Sequence, residues 1–377
     1  MKTAFIVIVT LILLLGIGGF VVSKILLKVP AIKLSDKMDR AQKIEALDQW
    51  LTDLNERQKF NGVVLLIVND QIILEKGYGY TDYTQTEQLT MQSSMRLASV
   101  SKQFTAAGIM ALHDQGKLNL DDEVSAHIDG FPYEGVSIRH LLNQTSGVPD
   151  NYFALGKANI KPGSFLTLAK ATELIIAKNA PAISVPNAKQ SYSNTNYMLL
   201  ARIAELVSGQ SFENYMQSAI FTPMGMKNTR VWTAVSPDKT FPNKTEGFTL
   251  FNAKKPKPVE LTVIDGVAGD GSVFSSIEDF KIWNKFWTEN PIISQETLAQ
   301  AFKAPTLNDG SKSDYGFGWI LTDRGNWHNG GWLAARSFIA RQEEKGIVLV
   351  VVDNSLRFNI NSIIAELTKA ARSLNER

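Results

Sequence analysis

Apolar and polar positions change their period several times along this chain, and each change predicts an element. Between residues 38 and 59 apolar side chains recur every three or four positions, at Ile44, Leu47, Trp50, Leu51 and Leu54. A single stripe of this kind is the buried face of an amphipathic helix. Two strand-like runs follow, GVVLLIVND and QIILEKGYG, and they meet at Asn69 and Asp70. Such a junction predicts a hairpin. Strand patterns return near the other end as FGWILTD, WLAARSFIA and GIVLVVVDN, before a helical stripe through Ile363, Ile364, Leu367 and Ala370.

The middle, about 96 to 249, reads as mostly helical and is broken by Pro149, Pro162, Pro181, Pro186 and Pro223. Strands at both ends around a helical middle predict an α+β protein. Its sheet domain takes residues 41–95 and 250–377, with a helical domain, 96–249, inserted into it. FNAKKPKPVE at 251–260 marks the return crossing.

The first residues follow neither period. Between Lys2 and Lys24 lie 21 uncharged residues, and at about 1.5 Å per helical residue they span a hydrocarbon core of about 30 Å. This predicts a transmembrane anchor within 1–28 and a short polar linker at 29–40. Val21, Val22 and Ser23 keep a cleaved signal open as the alternative. Lys24, Lys28 and Lys33 outnumber Lys2, a charge distribution that runs against export.

Charge and composition narrow the chemistry. Over 377 residues the formal net charge is +2 and no basic patch stands out, so nucleic acid is not an expected partner. There are no cysteines, which removes disulfides, thiolate nucleophiles and thiolate metal sites and suits an oxidising compartment. His113, His127 and His140 lack metal-ligand spacing, and there is no phosphate-binding or dinucleotide glycine fingerprint in the polar part of the chain. Neither a metal nor another cofactor is expected.

Residues 97–105, LASVSKQFT, open a helix with an apolar, small-residue continuation. A hydroxyl there is an ordinary cap, but a lysine in the first turn opposes the helix dipole. Ser99 and Lys102 are three apart, so they share a face and the amine reaches the hydroxyl. A desolvated lysine activates a serine that is otherwise a poor nucleophile. Ser236-Pro-Asp-Lys239 has the same spacing without an apolar helix behind it. Ser101, the nearest rival to Ser99, has no lysine three places on. Tyr192 and Asn194 stand before a second apolar helical run, SYSNTNYMLLARIAELV. His328, in WHNGGW, precedes two glycines beside a predicted strand, where a ligand or another backbone can approach closely.

In this order and at these spacings, S-x-x-K, Y-x-N and H-x-G resemble the serine β-lactamase and penicillin-binding protein superfamily. Within it, the chain is similar to class C β-lactamases, D,D-carboxypeptidases, D-aminopeptidases and related esterases. IRHLLNQTSGVPD, PMGMKNT, GDGSVFSSIEDF and YGFGW also resemble this group. The resemblance runs from about residue 45 to 355.

It implies a β-lactamase/transpeptidase-like fold in which Ser99 is the acylated nucleophile, Lys102 its activating neighbour and Tyr192 the proton shuttle. Asn194, His328, Asn329 and Gly330 are expected to bind substrate, and the backbone N–H groups of Ser99 and Gly331 to form the oxyanion hole. The expected activity is acyl-enzyme hydrolysis of amides or esters, foremost of D-amino-acid peptides. A β-lactamase, a carboxylesterase and a slowly deacylating β-lactam or wall-peptide receptor are the alternatives. His328 and Asn329 replace the lysine and threonine of the K-T-G pattern, which weighs against strong β-lactamase activity. The resemblance also implies a bacterial envelope location, with the catalytic domain facing outward if residues 1–28 anchor it and secreted if they are removed.

Overall fold

The computed structural model describes residues 28–249, 255–356 and 359–375. Helix α1 (Arg40–Glu56) begins where Asp39 accepts from the Gln42 backbone and Gln42 accepts from that of Asp39. This reciprocal capping box satisfies two otherwise orphaned donors. Leu47, Trp50, Leu51 and Leu54 are its buried stripe. Strands β1 (Gly62–Val68) and β2 (Gln71–Tyr78) are joined by Asn69 and Asp70 at φ 53° and 58°. Two successive positive φ values match the right-handed twist of a tight hairpin.

Strand β3 (Met95–Arg96) leads into helix α2 (Ser101–Asp114), and helix α3 (Asn194–Ser208) packs beside it. The short strands β4 (Arg230–Val231), β5 (Phe248–Thr249), β6 (Lys257–Pro258) and β7 (Val273–Ser275) follow. The chain then forms β8 (Ile320–Thr322), β9 (Gly325–Trp332), β10 (Ala335–Gln342), β11 (Ile347–Asp353) and helix α4 (Ile360–Asn375).

Six strands make one antiparallel sheet in the order β2-β1-β11-β10-β9-β8. Two adjacent inner strands, β1 and β11, come from opposite ends of the chain, with Gly62 opposite Asp353 and Ile67 opposite Val348. Both are buried along their whole length, which is why they read as continuous apolar runs. Val63, Leu65 and Ile67 join Val348, Val350 and Val352 in the core that contains α2 and α3. Val64, Leu66 and Val68 face the other way with Leu349 and Val351, against α1 and α4. Strands β3, β7 and β4 form a separate three-stranded sheet under the start of α2, and β5 pairs with β6.

The run WLAARSFIA is not one strand. The chain turns at Leu333, φ 50°, so Trp332 ends β9 and Ala335 begins β10. The glycine pair expected between strands lies inside β9 instead. FGWILTD contributes only Ile320–Thr322.

Residues 29–34, read as linker, pack onto α1 and α4: Val29, Ile32 and Leu34 join their core, and the Trp50 indole donates to the Pro30 carbonyl at 2.9 Å. Among the described residues no helix is long and apolar enough to cross a membrane. The expected anchor falls almost wholly on residues 1–27, outside the described residues.

Candidate active site

Ser99 lies in a single 3-10 turn, Ala98–Val100, that runs directly into α2. Ala98 holds this turn at φ 46° while fully buried. A left-handed alanine costs of order 1 kcal/mol and persists only where its surroundings hold it. Strand β9 is that support. A side chain at Gly330 would place its first carbon 2.4 Å from the Leu97 carbonyl oxygen and 2.8 Å from the Ser99 nitrogen, so only glycine allows the approach. The Ser337 hydroxyl, opposite Gly330 on β10, donates to the same Leu97 carbonyl.

One turn on, Lys102 is completely buried. Its Nζ lies 3.2 Å from Ser99 Oγ, 2.9 Å from Asn194 Oδ1 and 3.0 Å from the Asp270 carbonyl oxygen. Three acceptors for three ammonium protons leave no donor unused. A cation misplaced against its own helix dipole is thus held by groups from α3 and from the loop before β7. Ser101 is excluded as the nucleophile because its Oγ accepts from Val273 N at 2.9 Å in the buried floor. The second S-x-x-K copy is not helical, and its Ser236 hydroxyl turns to Glu213.

Asn194 opens α3 beside Asp150, whose carboxylate accepts from Thr195 N at 3.0 Å and from Asn194 Nδ2 at 3.1 Å. A carboxylate is favoured at a helix N-terminus, and here it also fixes the asparagine amide. The second Nδ2 proton remains for a ligand in the cavity that Asn194 lines. Tyr192 is 43% exposed, with its ring centroid 4.8 Å from Lys102 Nζ. The rings of Tyr315 and His328 lie 5.9 and 6.2 Å away.

His328 is brought to the same place but in a different state from a substrate-binding cation. It is buried, its Nε2 lies 2.9 Å from the Tyr315 hydroxyl, and its Nδ1 lies 2.6 Å from the Asn329 carbonyl oxygen. Burial, reinforced by the charge of Lys102, pushes its pKa down to about 3. Burial also pushes the Tyr315 phenol up, so it keeps its proton. The network then has one consistent assignment: Tyr315 donates to Nε2, and the neutral ring donates from Nδ1 to Asn329. His328 is a dry brace for β9.

Asn329 pairs with Phe338 and alternates with His328, so its exposed side chain lies on the opposite face of the sheet from the Ser99 turn. Its side chain does not join the site; its carbonyl does, through His328. The structure therefore brings Ser99, Lys102, Tyr192, Asn194, Gly330 and Gly331 together, with His328 beneath them.

Ser99, Tyr192, Asn194 and Gly331 line a cavity of about 260 Å³ together with Arg96, Tyr152, Phe153, Asp265, Asp270 and Trp332. Asp270 accepts from the Tyr152 hydroxyl at 2.8 Å, and burial raises its pKa against the pull of Lys102. Asp265 accepts from both Arg96 and the Trp332 indole at 2.8 Å. The roles of Asp150, Asp265, Asp270 and Tyr315 were not legible as separate motifs. Three of the four fall in stretches already notable in sequence, Asp150 in IRHLLNQTSGVPD, Asp270 in GDGSVFSSIEDF and Tyr315 in YGFGW; Asp265 has no such signal. Gly318, in the same YGFGW stretch, sits at φ 78° against the Gln103 backbone of α2, where a side chain would meet Cα at 2.7 Å.

With this geometry in place, the comparisons with known proteins agree. A sequence model of the β-lactamase family matches residues 47–363. The chain belongs to the β-lactamase family. A penicillin-binding protein of Bacillus subtilis (strain 168) is 33% identical over 333 residues, covering 84% of this chain and 72% of that protein. The octameric penicillin-binding protein homologue of Pyrococcus abyssi superposes with a TM-score of 0.71 at 25% identity, over 87% of this chain and 76% of that one. D-amino acid amidase from Ochrobactrum anthropi SV3 shares the fold, with a TM-score of 0.70 at 21% identity over 88% of this chain and 98% of that one. The protein is a serine hydrolase of this family, with its α+β fold. Among the described residues no cluster of His, Asp and Glu is arranged to hold a metal ion.

Proposed function

We propose that the protein hydrolyses amides or esters of D-amino acids or short D-amino-acid peptides through an acyl-enzyme on Ser99. The observation that carries this reading is the buried Lys102 amine, whose Nζ is shared by Ser99 Oγ, Asn194 and the Asp270 carbonyl at the edge of a cavity. Ser99 Oγ attacks the substrate carbonyl carbon while its proton passes to Lys102 acting as the neutral amine or to Tyr192 acting as the phenolate, and the carbonyl π pair moves onto oxygen. The backbone N–H groups of Ser99 and Gly331 receive that oxyanion, each worth about 3 kcal/mol in the transition state. Collapse expels the amine or alcohol, which takes the proton back. Water then attacks the ester and releases the acid.

His328 favours one substrate class over another. Where the K-T-G pattern supplies a cation, this chain supplies a neutral, buried imidazole, and the following side chain points away. A substrate that carries a carboxylate on its leaving group has no positive charge there to meet it. Simple amides and esters suit the site better than carboxypeptidase or β-lactam substrates.

The test is hydrolysis of D-phenylalanine amide, a p-nitrophenyl ester and a D-Ala-D-Ala peptide by the wild type and by Ser99→Ala. Amide or ester hydrolysis that falls about 10³-fold or more in the variant is the expected result. Equal rates in the two proteins would end the reading. We further propose that residues 1–28 hold the enzyme at the outer face of a bacterial cytoplasmic membrane, supported by the 21 uncharged residues between Lys2 and Lys24. Recovery of the full chain in the soluble fraction of unbroken-envelope preparations would contradict this.

A further inference from the structure

A second cavity, of about 370 Å³, lies against the first and shares Arg96 and Trp332 with it. The shared wall is tied from below, since Asp265 accepts from both residues. No step of the proposed hydrolysis uses this cavity. Its walls are apolar on one side, with Phe165, Val259, Leu261 and Ala334, and Leu261 is 40% exposed at the rim. Its volume is that of a small-molecule site, commonly about 300–1,000 Å³.

The other side carries charge. The Lys244 side chain is 7% exposed, and its Nζ lies 4.2 Å from the Trp232 ring centroid and 5.8 Å from that of Phe274. Its nearest carboxylate, Glu246, is 3.5 Å away and 56% exposed, a pair that water screens. Burial lowers the Lys244 pKa against the pull of Glu246. Lys239 also lines the cavity. An amine held dry over two rings, with its one close carboxylate more than half exposed at 3.5 Å, is a site where a desolvated anion gains more than it does in water.

We propose that this cavity is a second ligand lobe of the cleft, which takes an aliphatic or aryl-alkyl chain ending in one carboxylate, with the carboxylate on Lys244 and the chain along Leu261 and Trp332. The chain contributes by burial and the anion by its pairing with Lys244, so both parts are needed. The lobe abuts the Ser99 cavity but does not depend on Ser99 chemistry.

The experiment uses Ser99→Ala, so that turnover is absent, and follows tryptophan fluorescence and calorimetry with hexanoate, octanoate and decanoate. Decanol and decyltrimethylammonium are the uncharged and cationic controls. Saturable carboxylate binding is expected, with Kd improving about three- to fourfold per added methylene until the cavity is full. Decanol binds at least tenfold more weakly, and Lys244→Met removes most of the difference between decanoate and decanol. Val259→Trp, which narrows the rim, weakens both and leaves the p-nitrophenyl ester hydrolysis of the otherwise wild-type enzyme within about twofold. No saturable binding, equal affinity for decanoate and decyltrimethylammonium, or Kd values unmoved by both variants would overturn the proposal. Because binding is read without Ser99, these outcomes are separate from failure of the hydrolase reading.

Discussion

The two faces of the central sheet solve different problems with the same strands. On the face covered by α1 and α4 the core is Leu47, Leu51, Leu54, Ile363 and Leu367 against Val64, Leu66 and Val351. On the face covered by α2, the buried surface includes Ser101, Lys102, Gln103, Thr105, His328 and Ser337 among its apolar side chains. An apolar face tolerates substitution in proportion to volume lost. A buried polar face tolerates little, because each group that loses its partner leaves another unsatisfied. The first face contributes stability with latitude, and the second contributes a fixed geometry. That division accounts for the Ser99 turn being held by the close approach of β9 and the Ser337 hydroxyl of β10 rather than by its own helix.

Substitutions at Lys102, Gly330, Leu367 and His328 separate the two faces, and they differ in the size of effect on catalysis. Lys102→Met should lower kcat/KM about 10³-fold or more and also cost about 1–3 kcal/mol of stability, since it leaves Asn194 Oδ1 and the Asp270 carbonyl oxygen without their buried donor. A large fall in Tm with only a small loss of rate would place Lys102 on the structural side of the comparison. Gly330→Ala forces a carbon into the Leu97 carbonyl and the Ser99 nitrogen. Displacing the oxyanion donor by even 1 Å is expected to cost about 10²-fold in kcat. Unchanged kinetics would show that β9 does not set the turn.

Leu367→Ala, on the apolar face, should lose about 2–5 kcal/mol in denaturant unfolding. Its kcat/KM, measured well below the unfolding midpoint, should match wild type. A change in kcat would mean that the faces are mechanically coupled. The effect at His328 is read through pH dependence. Its pKa of about 3 in the folded chain lies below the ordinary 6.5, so on acidification the unfolded chain takes up the proton first. Its contribution to stability is complete above pH 6.5 and is lost as pH falls toward 3. Wild type should therefore lose up to about 1.4 kcal/mol per pH unit across that window from this group, and His328→Gln should lack this component. The kcat/KM profile should show no inflection near pH 6.5 that His328→Gln removes.

Legibility in the sequence divided along the same line. The apolar face was readable from period alone: the α1 stripe, the β1–β2 turn at Asn69 and Asp70, and the α4 stripe all lie where the pattern predicts them. The boundaries of β9 and β10 were not, because Leu333 turns the chain without a glycine or proline and the glycines sit inside the strand. Their position answers to the Ser99 turn, a contact more than 200 residues away in sequence that no local pattern encodes. That Ser99, Lys102, Tyr192 and Asn194 lie together was legible from motif order. The state of His328 was not, because it is set by Tyr315 and burial, and the direction of Asn329 was hidden by the misplaced strand.

The central claim is that Ser99 forms a covalent acyl ester with help from Lys102. Intact-protein mass spectrometry after rapid mixing with a p-nitrophenyl ester and acid quench reads this directly. The account predicts one acyl mass on the wild type that maps to Ser99, none on Ser99→Ala, and slow appearance on Lys102→Met. An adduct of equal yield on Ser99→Ala, or steady hydrolysis by the wild type without any adduct at Ser99, would contradict it.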